Sequence, residues 1–259
     1  MVKVPLVIIC GLFGLVIGSF LNVVIYRVPR DESIARPPSH CPSCSTPLAP
    51  YDNIPVLSYL ILRGKCRHCR ATISVRYPLV EALTGALFAS AAVRFGYHLE
   101  LAAYCVLAAF LVALSGIDLD TRLLPRRIVY LGTATGVVLL GAAAGVGGTG
   151  RPVVDAAIGA AVGFGALFLV HFVSPQGMGF GDVRLAGMLG LYLGFLGVAH
   201  VGVGLFAGFV LGAVVGLALM GLGRAGRRSR IPFGPFLAAG AWVAVLWGDP
   251  LVRLWLGPR

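Results

Sequence analysis

Apolar residues in this chain come in long runs without charge, not at the spacing of an amphipathic helix or strand. The runs are Val4–Tyr26, Leu101–Ile117, Ile128–Gly150, Ala156–Met178, Leu185–Gly223 and Ile231–Gly248. A helix that crosses a bilayer needs about 20 mainly apolar residues. Most of the runs fit one crossing. Leu185–Gly223 is long enough for two, with the turn expected between Gly194 and Gly204. Pro78–Val93 carries one charge, Glu81, and reads as a further span. The pattern predicts an all-α polytopic membrane protein with about eight transmembrane helices. Gly14 and Gly18 stand at the small-xxx-small spacing that lets membrane helices approach closely. The first run is expected to stay attached. It is long for a signal peptide, has only Lys3 before it, and passes into Asn22–Arg27 without a small-residue cleavage site.

Composition agrees with this reading. The chain is 58% hydrophobic and only 12% charged, about half the charge of a soluble domain. Its net charge of +11 raises the question of nucleic acid, and position answers it. If the N-terminus lies outside, the loops expected to face the cytoplasm hold 16 of the 21 Lys and Arg. Eight of these fall in Arg27–Tyr77, three in Leu119–Arg127, and four in Arg224–Arg230; the last is Arg184. That is the positive-inside pattern. Basic loops beside anionic lipid require no nucleic acid. The expected organisation is a first span at 1–26, a cytoplasmic loop at 27–77 and a membrane core at 78–259.

The loop carries Cys41-Pro-Ser-Cys44 and Cys66-Arg-His-Cys69, with 21 residues between the pairs. This is zinc-ribbon spacing. Each CxxC turn offers two thiolates, and two turns close a tetrahedron. Arg63, Lys65, Arg67 and Arg70 are placed to offset the thiolate charge. Four cysteines leave no open position for water, so the zinc is expected to be structural. The alternative is a pair of disulfides, which a reducing cytoplasm disfavours. His40 and His68 flank the cysteines and read as neighbours, not ligands. Cys10 and Cys105 fall inside spans and read as small packing residues.

Acids are scarce, ten in all, so their placement is informative. Asp118 and Asp120 close the third expected span, and Asp182 opens the sixth within Gly179-Phe-Gly-Asp182. An odd span ends on the face where an even span begins. Asp118 and Asp182 are therefore expected on one membrane face, although 64 residues separate them. Carboxylates near a membrane are costly and usually functional. Two facing one site can divide labour, one as base and the other as acid. Gly179 and Gly181 allow the backbone to come close at that point. The bland alternative is that the aspartates cap helices or pair with Arg122 and Arg184. Asp120 lies two residues beyond Asp118, on the other side of a helix. Glu81 is open between a snorkelling acid and a contact to a substrate amine or a methyl-transfer site.

Taken together the motifs resemble those of the bacterial type IV prepilin peptidases, membrane aspartic proteases of the GxGD type. The resemblance rests on Gly18-Ser-Phe-Leu-Asn-Val-Val-Ile-Tyr-Arg-Val-Pro29, the paired CxxC loop, and Arg76-Tyr-Pro-Leu-Val-Glu81. Asp118-Leu-Asp-Thr-Arg-Leu-Leu-Pro125, Gly179-Phe-Gly-Asp182 and Ile231-Pro-Phe-Gly-Pro-Phe236 complete it. It departs from many relatives at Arg184, where Lys is common, and at Arg126, where Asp or Asn is common. The resemblance implies catalytic Asp118 and Asp182, supported by Gly179 and Gly181. The substrate would be a prepilin or pseudopilin with a short basic leader, cut after Gly at the cytoplasmic face of the inner membrane. It also implies N-methylation of the new N-terminus with S-adenosylmethionine. The rival reading is a carboxylate-dependent membrane transporter, whose acids would be expected near mid-membrane.

Overall fold

The computed structural model describes residues 4–175, 177–224, 226 and 231–257. Arg227, Arg228 and Arg230 of the last basic loop, like Lys3 and Arg259, lie outside the described residues. The chain folds as two compact units, Met1–Tyr97 and His98–Arg259.

In the first unit, α1 (Val4–Arg27) packs on α3 (Arg76–Phe95). Their contact is backbone on backbone. A side chain at Gly14 would meet the Gly85 Cα at 2.8 Å, and one at Gly18 would meet the Glu81 Cα at 2.6 Å. The expected glycine spacing therefore does bring two helices together. Between them the polar loop contains two 3-10 turns, Val28–Arg30 and Pro50–Asn53, and one short α-helix, α2 (Leu57–Ile61), which the hydrophobic pattern does not predict. Asn22 is buried and donates to the carbonyls of Gly18 and Tyr77. Arg27 donates to the carbonyls of Ser33 and Pro37, tying the start of the loop to the end of α1.

The second unit holds α4 (Glu100–Thr121), α5 (Arg126–Gly147), α6 (Arg151–Val173), α7 (Phe180–Leu196), α8 (Val198–Gly221) and α9 (Gly234–Leu256). The long run Leu185–Gly223 divides at Gly197, whose φ of 137° suits glycine. Seven helices among the described residues are long and apolar enough to cross a membrane. The eighth long helix, α7, has 17 residues, just below the usual length for a crossing. This is a multi-pass membrane protein. Because lipid is as apolar as leucine, close packing has to hold such helices together. Accordingly α6 meets α7 through Gly159, Gly163, Gly190 and Gly194. The core around α4 and α7 is dry: Tyr104, Leu107, Ile117, Val183, Leu185 and Tyr192 are fully buried. Buried hydroxyls must find partners there. Tyr104 donates to the Tyr192 carbonyl at 2.8 Å, and Tyr192 donates to the Gly132 carbonyl at 3.0 Å. The pair ties α4 to α7 and α7 to α5.

Candidate functional site

The last turn of α4 carries Asp118, which is 4% exposed. Its neighbour Asp120 is exposed, as the two-residue offset on a helix predicts. Arg122 closes α4 in a left-handed conformation and donates its amide to the Asp118 carbonyl at 2.8 Å. The chain then runs through Leu123, Leu124 and Pro125 into α5. At the start of α7, Gly179 is the capping residue and Asp182 lies three residues on. The Asp182 carboxylate accepts from the Gly179 amide, the reach-back of an acid in the first turn of a helix.

The two carboxyl groups lie within electrostatic reach of one another. Leu124 helps explain how. A side chain at Gly181 would meet the Leu124 Cβ at 3.0 Å, and one at Gly234 would meet the Leu124 Cδ2 at 3.3 Å. The loop after α4 is thus seated against the N-termini of both α7 and α9. Asp118 itself accepts from the Gly234 amide at 2.9 Å, in a buried hydrogen bond between residues 116 apart in the chain. Arg184 lays its guanidinium over the Phe180 ring at 4.6 Å. Of the residues expected from sequence, the structure brings together Asp118, Asp182, Gly179 and Gly181. It adds Gly234 and Leu124. Gly234 belongs to a recognised sequence motif, but nothing local in sequence indicates its contact.

In the first unit the four loop cysteines converge. Their sulfurs all lie within 4.8 Å of one another, close enough to share a metal ion. All are free thiols, and Cys41 and Cys69 Sγ are 3.8 Å apart. The two turns repeat each other. Ser45 donates to the Cys41 carbonyl and Arg70 to the Cys66 carbonyl, and each follows its second cysteine in a left-handed conformation. Bridges His40–Pro47 and Lys65–Thr72 close the turns behind. The Thr46 hydroxyl and backbone push the Cys44 thiol down to about 6, toward the thiolate a metal requires. His40 and His68 are exposed and stand outside the cluster. Arg67 differs from expectation. It grips Asp52 with Nε at 3.1 Å and Nη2 at 2.7 Å, which holds the Asp52 carboxyl below its usual range. That bidentate pair braces the turn before α2 against the second CxxC, leaving Arg67 less able to offset thiolate charge.

Glu81 does not snorkel. It is 8% exposed, and its Oε2 accepts from the Val56 amide at 2.7 Å. Val56 precedes α2 with φ 61°, costly for a β-branched residue. A buried acceptor at that amide helps hold the strained turn.

Comparison with known proteins follows the same division. Residues 12–95 match the family model for the bacterial peptidase A24 N-terminal domain, and residues 105–218 match that of the type IV leader peptidase family. A prepilin leader peptidase/N-methyltransferase of Aeromonas hydrophila is 38% identical, covering 95% of this chain and 92% of its own. One from Stutzerimonas stutzeri is 37% identical over 96% and 93%. One from Myxococcus xanthus is 48% identical over 83% of this chain and 64% of its own. No solved structure matches. With relatives this similar along nearly the full length, the chain belongs to the type IV leader peptidase family.

Proposed function

We propose that this chain is an aspartic endopeptidase of the inner membrane that removes the short basic leader of type IV prepilins or pseudopilins. Asp118 and Asp182 are its catalytic residues. One observation carries the assignment. Two rare acids, distant in sequence, stand within electrostatic reach of each other, each held by a backbone amide at a helix N-terminus. At close range both cannot ionise cheaply, so the pair shares a proton. The ionised carboxylate takes a proton from water as the oxygen attacks the scissile carbonyl. The protonated partner donates to the carbonyl oxygen, and a proton then returns to the departing amine. Gly179 and Gly181 keep the approach to Asp182 open. Relatives named for both activities favour a second one, N-methylation of the new N-terminal residue, with S-adenosylmethionine supplying the methyl group.

The cysteine cluster suits structural Zn²⁺ held by Cys41, Cys44, Cys66 and Cys69. Thiolates about 2.3 Å from one zinc sit roughly 3.8 Å apart, which is the Cys41–Cys69 separation. The proposed organisation places the N-terminus outside, with the 27–77 zinc loop and the active site cytoplasmic, and the peptidase core in 78–259. The charge asymmetry of the loops supports that orientation. The transporter alternative draws no support from the relatives.

The test is mass spectrometry of a prepilin N-terminus after co-expression. Wild type should give cleaved, methylated product. Asp118→Asn and Asp182→Asn should each leave the precursor intact while inserting normally, and the exposed Asp120→Asn should cleave. Near-normal cleavage by either of the first two variants refutes the dyad.

A further inference from the structure

The segment Ile231–Phe236 opens α9, yet neither the dyad nor the metal cluster explains why it has its sequence. Its Gly234 amide is the donor to Asp118 Oδ2 at 2.9 Å. A side chain at 234 would meet that same oxygen at 2.7 Å and the Asp118 Cγ at 3.3 Å. The first distance is too short for carbon and the second is tight, so a Cβ there has to displace the carboxylate. We infer that Gly234 is a positioning residue for Asp118: its amide fixes one carboxylate oxygen, and its lack of a side chain leaves that oxygen its place.

The surrounding packing makes this amide rigid. Phe233, just before it, sits on Phe209 of α8 with ring centroids 4.9 Å apart, and a side chain at Gly212 would meet its ring at 3.1 Å. Further along, α8 and α9 touch backbone to backbone, with Gly208 against the Leu237 Cα. Pro235 has no amide to compete for the carboxylate, and the Phe236 amide is already given to the Phe233 carbonyl. The Gly234 amide therefore faces Asp118 as an uncommitted first-turn donor of α9, with the helix dipole behind it.

The chemical consequence concerns the proton. An oxygen that accepts an N–H does not carry the carboxyl proton on that lone pair. The Gly234 amide thus favours Oδ1 as the oxygen that carries and exchanges the proton when Asp118 is protonated. Asp182 is treated alike by the Gly179 amide. Both carboxylates are thus held by backbone amides, so each meets the substrate already oriented. Such preorganisation lowers the barrier and not substrate affinity.

This inference rests on the dyad proposed above, and the experiment separates the two. Asp118→Asn, Asp182→Asn and Gly234→Ala are assayed on one prepilin for kcat, KM and the pH profile of kcat. Gly234→Ala should lose about 30-fold or more in kcat, as expected for a misplaced charged hydrogen bond. Its KM should stay within about twofold, and its pH profile should move by roughly half a unit or more. In parallel, hydrogen exchange is followed in the peptide 231–236 of wild type and Asp118→Ala. One amide should exchange at least about tenfold faster once its acceptor is gone. Wild-type kcat and pH profile in Gly234→Ala, with Asp118→Asn inactive, overturns the inference and leaves the dyad standing. Active Asp118→Asn overturns the dyad beneath it. If Gly234→Ala does not fold, unchanged exchange in Asp118→Ala overturns the inference by itself.

Discussion

Gly190→Ala adds one methyl group in the middle of α7, about 12 Å along the helix from Asp182. The new Cβ would stand 2.8 Å from the Gly159 carbonyl carbon and 3.0 Å from the Ala160 Cα, and closer still to the Gly159 carbonyl oxygen. These are backbone atoms of α6 and cannot turn aside. Carbon contacts are comfortable at about 3.5–4.0 Å, and the carbonyl oxygen is the tightest neighbour, so α6 and α7 have to part by roughly 1 Å or more. Overpacking of this kind costs about 1–3 kcal/mol, more than the gain of up to about 1 kcal/mol from replacing a helical glycine. Because α7 carries Asp182, the same movement disturbs the proposed dyad, and misplacement by about 1 Å can slow a reaction about 100-fold. Gly165→Ala on α6 is the control, since nothing lies within 4 Å of its new Cβ. Thermal unfolding in detergent and cleavage of a purified prepilin should show Gly190→Ala less stable and about 10–100-fold slower, and Gly165→Ala unchanged or slightly more stable. Equal behaviour of the two variants would refute the claim that glycine contact between α6 and α7 sets the position of Asp182.

Elemental analysis should find about one zinc per chain; Cys66→Ser or a strong chelator should remove it and reduce N-methylation more than cleavage, since the metal organises the loop and not the aspartates. Tyr192→Phe removes the α7 donor to the Gly132 carbonyl, which keeps the Thr135 hydroxyl, and should cost about 0.5–1.5 kcal/mol in thermal unfolding. Glu81→Ala strips the acceptor from the Val56 amide and should loosen the loop by about 1–3 kcal/mol, read as faster proteolysis near α2; Glu81→Gln keeps an acceptor and should restore most of the protection.

Much of this arrangement is written locally. Long apolar runs predict α1, α3–α6, α8 and α9, and the glycines of Leu185–Gly223 predict the break that falls at Gly197. Counting spans places the end of α4 and the start of α7 on one face, because each crossing reverses direction. The paired CxxC turns announce their own convergence, since two identical tight turns are the usual way to offer four thiolates. Contacts that depend on side-chain reach are another matter. Arg67 looks like a counter-charge for thiolates until Asp52, 15 residues earlier, is seen to hold it. Glu81, five residues into α3, reads equally well in sequence as a snorkelling acid or as a contact to a substrate amine or methyl-transfer site. Its burial depends on the loop folding back to present the Val56 amide.

Gly234 shows the same limit in its sharpest form. A glycine between two prolines at the head of a helix has an ordinary local reading, a tight entry into α9. Its contact with Asp118 spans 116 residues and exists only because α4 ends where α9 begins. Asp118 stands at the C-terminal end of its own helix, where the dipole opposes a negative charge. The α9 N-terminus supplies what α4 withholds: an amide and the favourable end of a dipole. Asp182 needs no such help from elsewhere, since it opens α7 and finds its donor in Gly179, three residues back. This asymmetry explains why the Gly179–Asp182 motif is continuous in the chain, whereas the support of Asp118 is divided between Asp118–Pro125 and Ile231–Phe236. A carboxylate at a helix start carries its anchor with it; one at a helix end has to borrow an anchor from another helix.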